Sequence, residues 1–197
     1  HVLITVLAPP SKGVVQGIRF RGTLTKSTGS EHLRYRPVSV CGFVPLAGEG
    51  GAETPSRFRF FLESVGPMDP PAVIEAGLEA LSARMATLAE SFRSAGSGGA
   101  PSGGRVRYLS ASDDGSVSIE VDGEGHTALP LIQHKMLEKS CDYFGYNKPH
   151  TLIDTSVVRL RLVDEEADPF RAIASVCEGI ALGIEADRKV FAKALAA

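Results

Sequence analysis

The chain has 197 residues, 43% of them hydrophobic, with 21 basic and 23 acidic side chains and a formal charge of −2. That is enough chain for one large domain or two small ones with a packed core, and the interspersed charges leave no basic stripe that would mark a nucleic-acid footprint. No apolar run reaches the roughly 20 residues that span a bilayer, and the first residues lack a signal-peptide pattern, so the chain reads as soluble and intracellular with no membrane or direct nucleic-acid partner. It opens at His1 directly on an apolar run, from which we expect that a preceding segment is absent. Cys41, Cys141 and Cys177 lie far apart without a CxxC pair. They argue against a zinc site or a disulfide framework made by this chain alone, and read as packing thiols in a reducing compartment.

In chain order, Val2 to Leu7 and Val14 to Thr25 are rich in β-branched residues, with Ile18, Phe20 and Leu24 in a period-two pattern that predicts strands. Val38 to Val44 continues that character, Gly48 to Pro55 reads as a loop, and Phe58, Phe60 and Leu62 begin a further strand that Gly66 ends. Asp69 can cap a helix whose first turn tolerates Pro70 and Pro71. Ile74, Leu78, Leu81, Met85, Leu88 and Phe92 then recur at spacings of four and three, an apolar seam along one long helix.

Ser94 to Gly104, SAGSGGAPSGG, has no large side chain and reads as a flexible tether with a reach of roughly 17–20 Å. Beyond it, Val106 to Ser110, the turn Asp113 to Gly115, and Val117, Ile119 and Val121 predict a β-hairpin. Thr127 can cap a short helix with Pro130 in its first turn and Leu131, Ile132, Met136 and Leu137 on its apolar face. Cys141 to Pro149 reads as a loop. Val157, Val158, Leu160, Leu162 and Val163 predict a strand, and Asp168 with Pro169 starts a second long helix with a seam through Ile173, Cys177, Ile180, Ile184 and Phe191. Each half therefore ends in a strand, a D-P helix start and a long helix with one apolar stripe. Two such helices joined by a tether suggest pairing between the halves, although each seam could equally bury itself on its own sheet.

Chemistry is harder to find. His32, His126, His134 and His150 sit near turns or helix starts, with no HxH, HExxH or Cys/His cluster. Gly48-Glu49-Gly50-Gly51 and Gly123-Glu124-Gly125 do not fit a phosphate cradle and read as turns. Asp164, Glu165, Glu166 and Asp168 complement the dipole of the helix they precede. No metal, cofactor or catalytic residue is expected. A free-standing enzyme using Cys41 or Cys177 with a histidine remains an alternative, as does a dimerisation adaptor outside transcription.

The ordered pieces resemble a known family. The tail half, with a hairpin, EGHT (Glu124 to Thr127), a short helix, FGYNKPH (Phe144 to His150), a strand and a final helix beginning DPFRA (Asp168 to Ala172), is similar across nearly all of Val106 to Leu195 to the eleventh-largest subunit of eukaryotic RNA polymerase II and the archaeal L subunit. The front half resembles their partner, the third-largest subunit or archaeal D, itself related to bacterial α, in VLITVL (Val2 to Leu7), EHLRYRPV (Glu31 to Val38) and FFLESVGPMDPPAVIEAGLEAL (Phe60 to Leu81). The resemblance implies an α+β chain in which two α-subunit-like dimerisation modules of antiparallel strands and long helices pair, with part of an inserted β-rich domain. Residues 1–47 would end that inserted domain, 56–93 would supply the strand and long helix of the front module, 94–104 the linker, and 105–197 the second module. It also implies a non-catalytic platform on which the large polymerase subunits, the second-largest especially, and other small subunits assemble, in a nucleus or in a virion or viral factory. Such fusions are known in large DNA viruses.

Pairing would run through Ile74, Leu78, Leu81, Met85, Leu88, Phe92, Ile173, Cys177, Ile180, Ile184 and Phe191. A large subunit would meet His126, Thr127, Phe144, Tyr146, Pro149 and His150. Two departures stand out. Leu129 and Pro130 replace the Gly-Asn pair usual in the family's HTLGN, and the family's N-terminal dimerisation segment would lie ahead of His1. Nothing in these residues supplies the cysteine cluster that some relatives carry in the inserted domain.

Overall fold

The computed structural model describes residues 4–7, 17–46, 57–66, 68–96, 104–150 and 152–196. The chain forms an α+β protein with antiparallel sheets, divided into two compact units, His1–Gly66 and Pro67–Ala197.

In the first unit a single 3-10 turn, Leu33–Tyr35, is closed by His32, whose Nδ1 accepts from the Arg34 backbone N–H. Strands β1 (Val38–Leu46) and β2 (Arg57–Ser64) pair antiparallel, with Cys41 opposite Leu62, Phe43 opposite Phe60 and Pro45 opposite Phe58. These six side chains therefore share one face. On it the Phe43 ring lies 5.8 Å from Phe58 and 5.7 Å from Phe60. Apart from the half-buried Leu62 the face is solvent-exposed, and Cys41 with it, so Cys41 is not the packing thiol that its apolar surroundings predicted. The strands predicted at Val2 to Leu7 and Val14 to Thr25 are also corrected. Residues 4–7 and 17–25 carry no strand, and Ile18, Phe20 and Leu24 are exposed. A period-two pattern yields a strand only where a second strand accepts its backbone bonds. Val2, Leu3, residues 14–16 and the Gly48 to Pro55 loop lie outside the described residues.

The second unit begins with α1 (Pro70–Gly96), as the D-P start predicts. It continues through Ser94, Ala95 and Gly96, so the first three residues assigned to the tether are its last turn, while 97–103 lie outside the described residues. Strands β3 (Val106–Ala111) and β4 (Val117–Asp122) form the expected hairpin. Its turn needs Gly115, at φ +76°, a conformation side chains rarely adopt. Helix α2 (Leu129–Lys139) starts without a side-chain cap; Thr127 does not cap it, and the Leu129 N–H donates to the Gly125 carbonyl at 3.0 Å.

The predicted loop Cys141 to Pro149 is instead mostly strand β5 (Cys141–Asn147), which pairs with β6 (Thr155–Leu162) at the edge of a four-stranded sheet of order β3-β4-β6-β5. A register shift between Cys141 and Tyr143 explains the miss. The bulge turns Cys141 and Phe144, three residues apart, to the same buried side and hides the period of two. Helix α3 (Pro169–Leu195) ends the chain, with the Asp168 carboxylate accepting from the Phe170 N–H at 2.9 Å as an N-cap.

The core joins both sides of the linker. Met85, Leu88, Ala89 and Phe92 of α1 pack with Val106, Ile119, Val121, Phe144, Val158 and Leu160 of the sheet, Leu129, Ile132 and Met136 of α2, and Ile173, Ala174 and Cys177 of α3. Leu129 is fully buried.

Candidate interaction site

Two regions collect the residues singled out by sequence. The first is the seam between α1 and α3. The Ser82 hydroxyl donates to the Ala181 carbonyl at 3.3 Å, Arg188 reaches Glu79 at 3.3 Å and Glu75 at 3.5 Å, and Arg93 pairs with Glu178. Early residues of α1 meet late residues of α3, so the helices run antiparallel and touch along much of their length. Of the predicted seam, Met85, Leu88, Phe92, Ile173 and Cys177 are buried, whereas Ile74, Leu78, Leu81, Ile180, Ile184 and Phe191 are half-buried. Small residues that the apolar pattern did not include, Ser82, Ala89 and Ala174, are also buried. They let the two backbones approach. Val176, Ile180 and Ile184 of α3, with Leu131 and Lys139 of α2, line an open groove of about 640 Å³.

The residue that sequence reasoning missed here is Glu124, set aside as part of a glycine turn. Its side chain is fully buried, with Arg84 of α1 at 2.8 Å and Arg105 at 3.0 Å on its two oxygens. The signal that could have found it is the isolated acid between Gly123 and Gly125, since an acid buried in a turn needs cations nearby. Arg84 and Arg105 are the cations that could have been sought.

The second region lies where β5 meets the loop before α2. The His126 Nδ1 and Tyr146 hydroxyl lie 3.0 Å apart, with ring centroids at 5.6 Å. His126, Thr127, Pro149 and His150 are exposed, and Tyr146 is half-buried against the core. Phe144 stands apart from them, only 4% exposed, with its ring inside the core. The region thus brings His126 and Tyr146 together and leaves Phe144 to packing. His150 is engaged locally, its Nδ1 accepting from the Leu152 N–H at 3.1 Å.

Nucleophilic chemistry has little support in the buried thiols. Burial pushes the Cys177 thiol up to about 12, with the Glu124 charge adding to the shift, and pushes Cys141 up to about 11, with Asp142 adding to it. Both are poor thiolate sources near neutral pH. Among the described residues no group of three His, Cys, Asp or Glu side chains is placed to hold a metal, and no helix is long and apolar enough to cross a membrane. Compared with protein-family models and with curated proteins, the sequence finds a match in neither.

Proposed function

We propose that this chain is a non-catalytic assembly subunit of a multi-subunit DNA-directed RNA polymerase, carrying two α-subunit-like dimerisation modules in one polypeptide and scaffolding the two large catalytic subunits. The observation that carries the reading is the antiparallel packing of α1 and α3. Two helices with the same D-P start, on opposite sides of a linker, share one core. That is the arrangement the resemblance to paired polymerase subunits implies, and it accounts for both seams at once. The pieces EGHT, FGYNKPH and DPFRA add sequence support on the tail side.

Under this reading the exposed His126, Thr127, Pro149 and His150, with the half-buried Tyr146, face the second-largest subunit, and the protein works in a nucleus or, for a viral enzyme, in the virion or viral factory. Phe144 contributes by holding β5 in place. The test is purification of the tagged chain from its native source with identification of the co-purifying proteins. The two largest polymerase subunits are expected in stoichiometric amount, and their absence from a chain that is folded and abundant would sink the proposal.

A further inference from the structure

Two arginines from opposite sides of the linker close on one buried carboxylate. Arg84 sits on α1, before the linker, and Arg105 stands just ahead of β3, after it. The Arg84 Nε donates to Glu124 Oε2 at 2.8 Å and a terminal nitrogen of the same guanidinium donates to the Gly123 carbonyl at 3.1 Å, while Arg105 donates to Glu124 Oε1 at 3.0 Å. The loop is shaped to receive them. Gly123 has φ +74°, and a Cβ added there would stand 2.9 Å from the Arg105 guanidinium. From behind, the Ser156 hydroxyl donates to the Glu124 carbonyl at 2.7 Å and ties the loop to β6.

We propose that Glu124 and Arg84 form a clasp that selects α1 as the partner of the tail module and fixes its register. An apolar seam alone tolerates substitution and slippage, because hydrophobic contact is non-directional. A buried carboxylate does not, since it must find its cations or bear an unmet desolvation penalty. Sliding α1 by one turn would carry Arg84 about 5.4 Å away and leave Glu124 with Arg105 alone. The asymmetry assigns the roles: Arg105 is on the same side of the linker as Glu124 and completes the site, and Arg84 crosses. This inference rests on the geometry of the second unit and is independent of the polymerase reading.

The experiment uses the full chain with a specific protease site inserted within residues 97–103, cut after purification. In the uncut chain the covalent connection supplies an effective concentration on the order of millimolar, which masks weakened association. After cutting, the wild-type halves should co-elute at micromolar concentration. Arg84→Gln should raise their Kd at least about tenfold, less than the roughly hundredfold or more that follows loss of one partner of a fully buried pair, because the Arg84 side chain is 41% exposed in the folded protein. Arg105→Gln should raise it distinctly less. Arg84→Lys, which keeps the charge and loses the two-pronged grip, should fall between wild type and Arg84→Gln. Measuring on Arg84 avoids dependence on Glu124→Gln folding. Separation of the wild-type halves on cutting would overturn the proposal, and so would equal effects, or none, from Arg84→Gln and Arg105→Gln.

Discussion

Ile173 and Ile180 occupy the same predicted seam of α3, two turns apart, yet Ile173 is 0% exposed in the core while Ile180 is half-buried beside the α2–α3 groove. Truncating each to alanine separates what the pattern alone treats as equal. Ile173→Ala removes three carbons with no route for solvent to fill the space, so it should cost about 3 kcal/mol, within the range for buried large-to-small changes. For a unit of this size that lowers Tm by roughly 10 °C. Ile180→Ala removes the same carbons from a site where part of the surface already meets water, so about 1 kcal/mol and 3–4 °C are expected. Thermal melting of the purified chain, followed by far-UV circular dichroism, reads both. Equal losses from the two variants would refute the reasoning, since they would require a cover over Ile180 that the chain's own fold does not provide.

The thiols should divide by burial. With an aromatic disulfide reagent at about pH 8 only Cys41 should label in the native state, Cys141 and Cys177 reacting after denaturation, and rapid labelling of all three would contradict the assigned core. Because folding raises the Cys141 and Cys177 values above their ordinary 9.0, the stability they contribute is present below that pH and is lost as pH rises through 9 towards their folded values near 11 and 12; urea midpoints measured between pH 8 and 11 should fall accordingly. At the start of α3, Asp168→Ala should cost about 1 kcal/mol and Asp168→Asn much less, read from urea denaturation, because only alanine removes the acceptor for the Phe170 N–H. Arg161 donates to Asp142 at 3.0 Å and holds its carboxyl below the usual range. Arg161→Gln should let that value climb back towards 3.8 in a side-chain NMR titration.

The helices were the most legible part of the fold. Proline after aspartate, with apolar residues every three or four positions, located α1 and α3 and most of their buried faces, because the helical period is set by the backbone and not by neighbours. The strands were legible where β-branched and aromatic residues recurred, including β1 and β3, which also carry register shifts. A bulge concealed β5, and the segment with Ile18, Phe20 and Leu24 has a strand's composition without a partner strand among the described residues. Burial within each seam depends on what lies opposite, which no single stripe encodes. The same limit applies to the candidate sites. Tyr146 and His126 meet across twenty residues of chain, and Glu124 meets Arg84 across forty. Neither pairing has a local spacing to betray it.

The graded burial of the two seams has a geometric origin. Each long helix has 27 residues and so spans about 40 Å, whereas the longest strand of the four-stranded sheet, β6, has 8 residues and spans only about 27 Å. Even laid along a helix axis, such a sheet covers no more than about two thirds of it. The buried residues fall on Ser82 to Phe92 of α1 and on Phe170 to Cys177 of α3, although the two antiparallel helices also touch beyond them, as at Arg188 with Glu75 and Glu79. The uncovered ends, Ile74 and Leu78 on α1 and Ile184 and Phe191 on α3, are apolar at the same spacing and remain half-buried. The clasp from Glu124 to Arg84 lies between Ser82 and Met85, where the covered part of α1 begins. Its position is therefore suited to holding register against the sheet side of the core, alongside the Ser82, Arg93 and Arg188 contacts that tie α1 to α3.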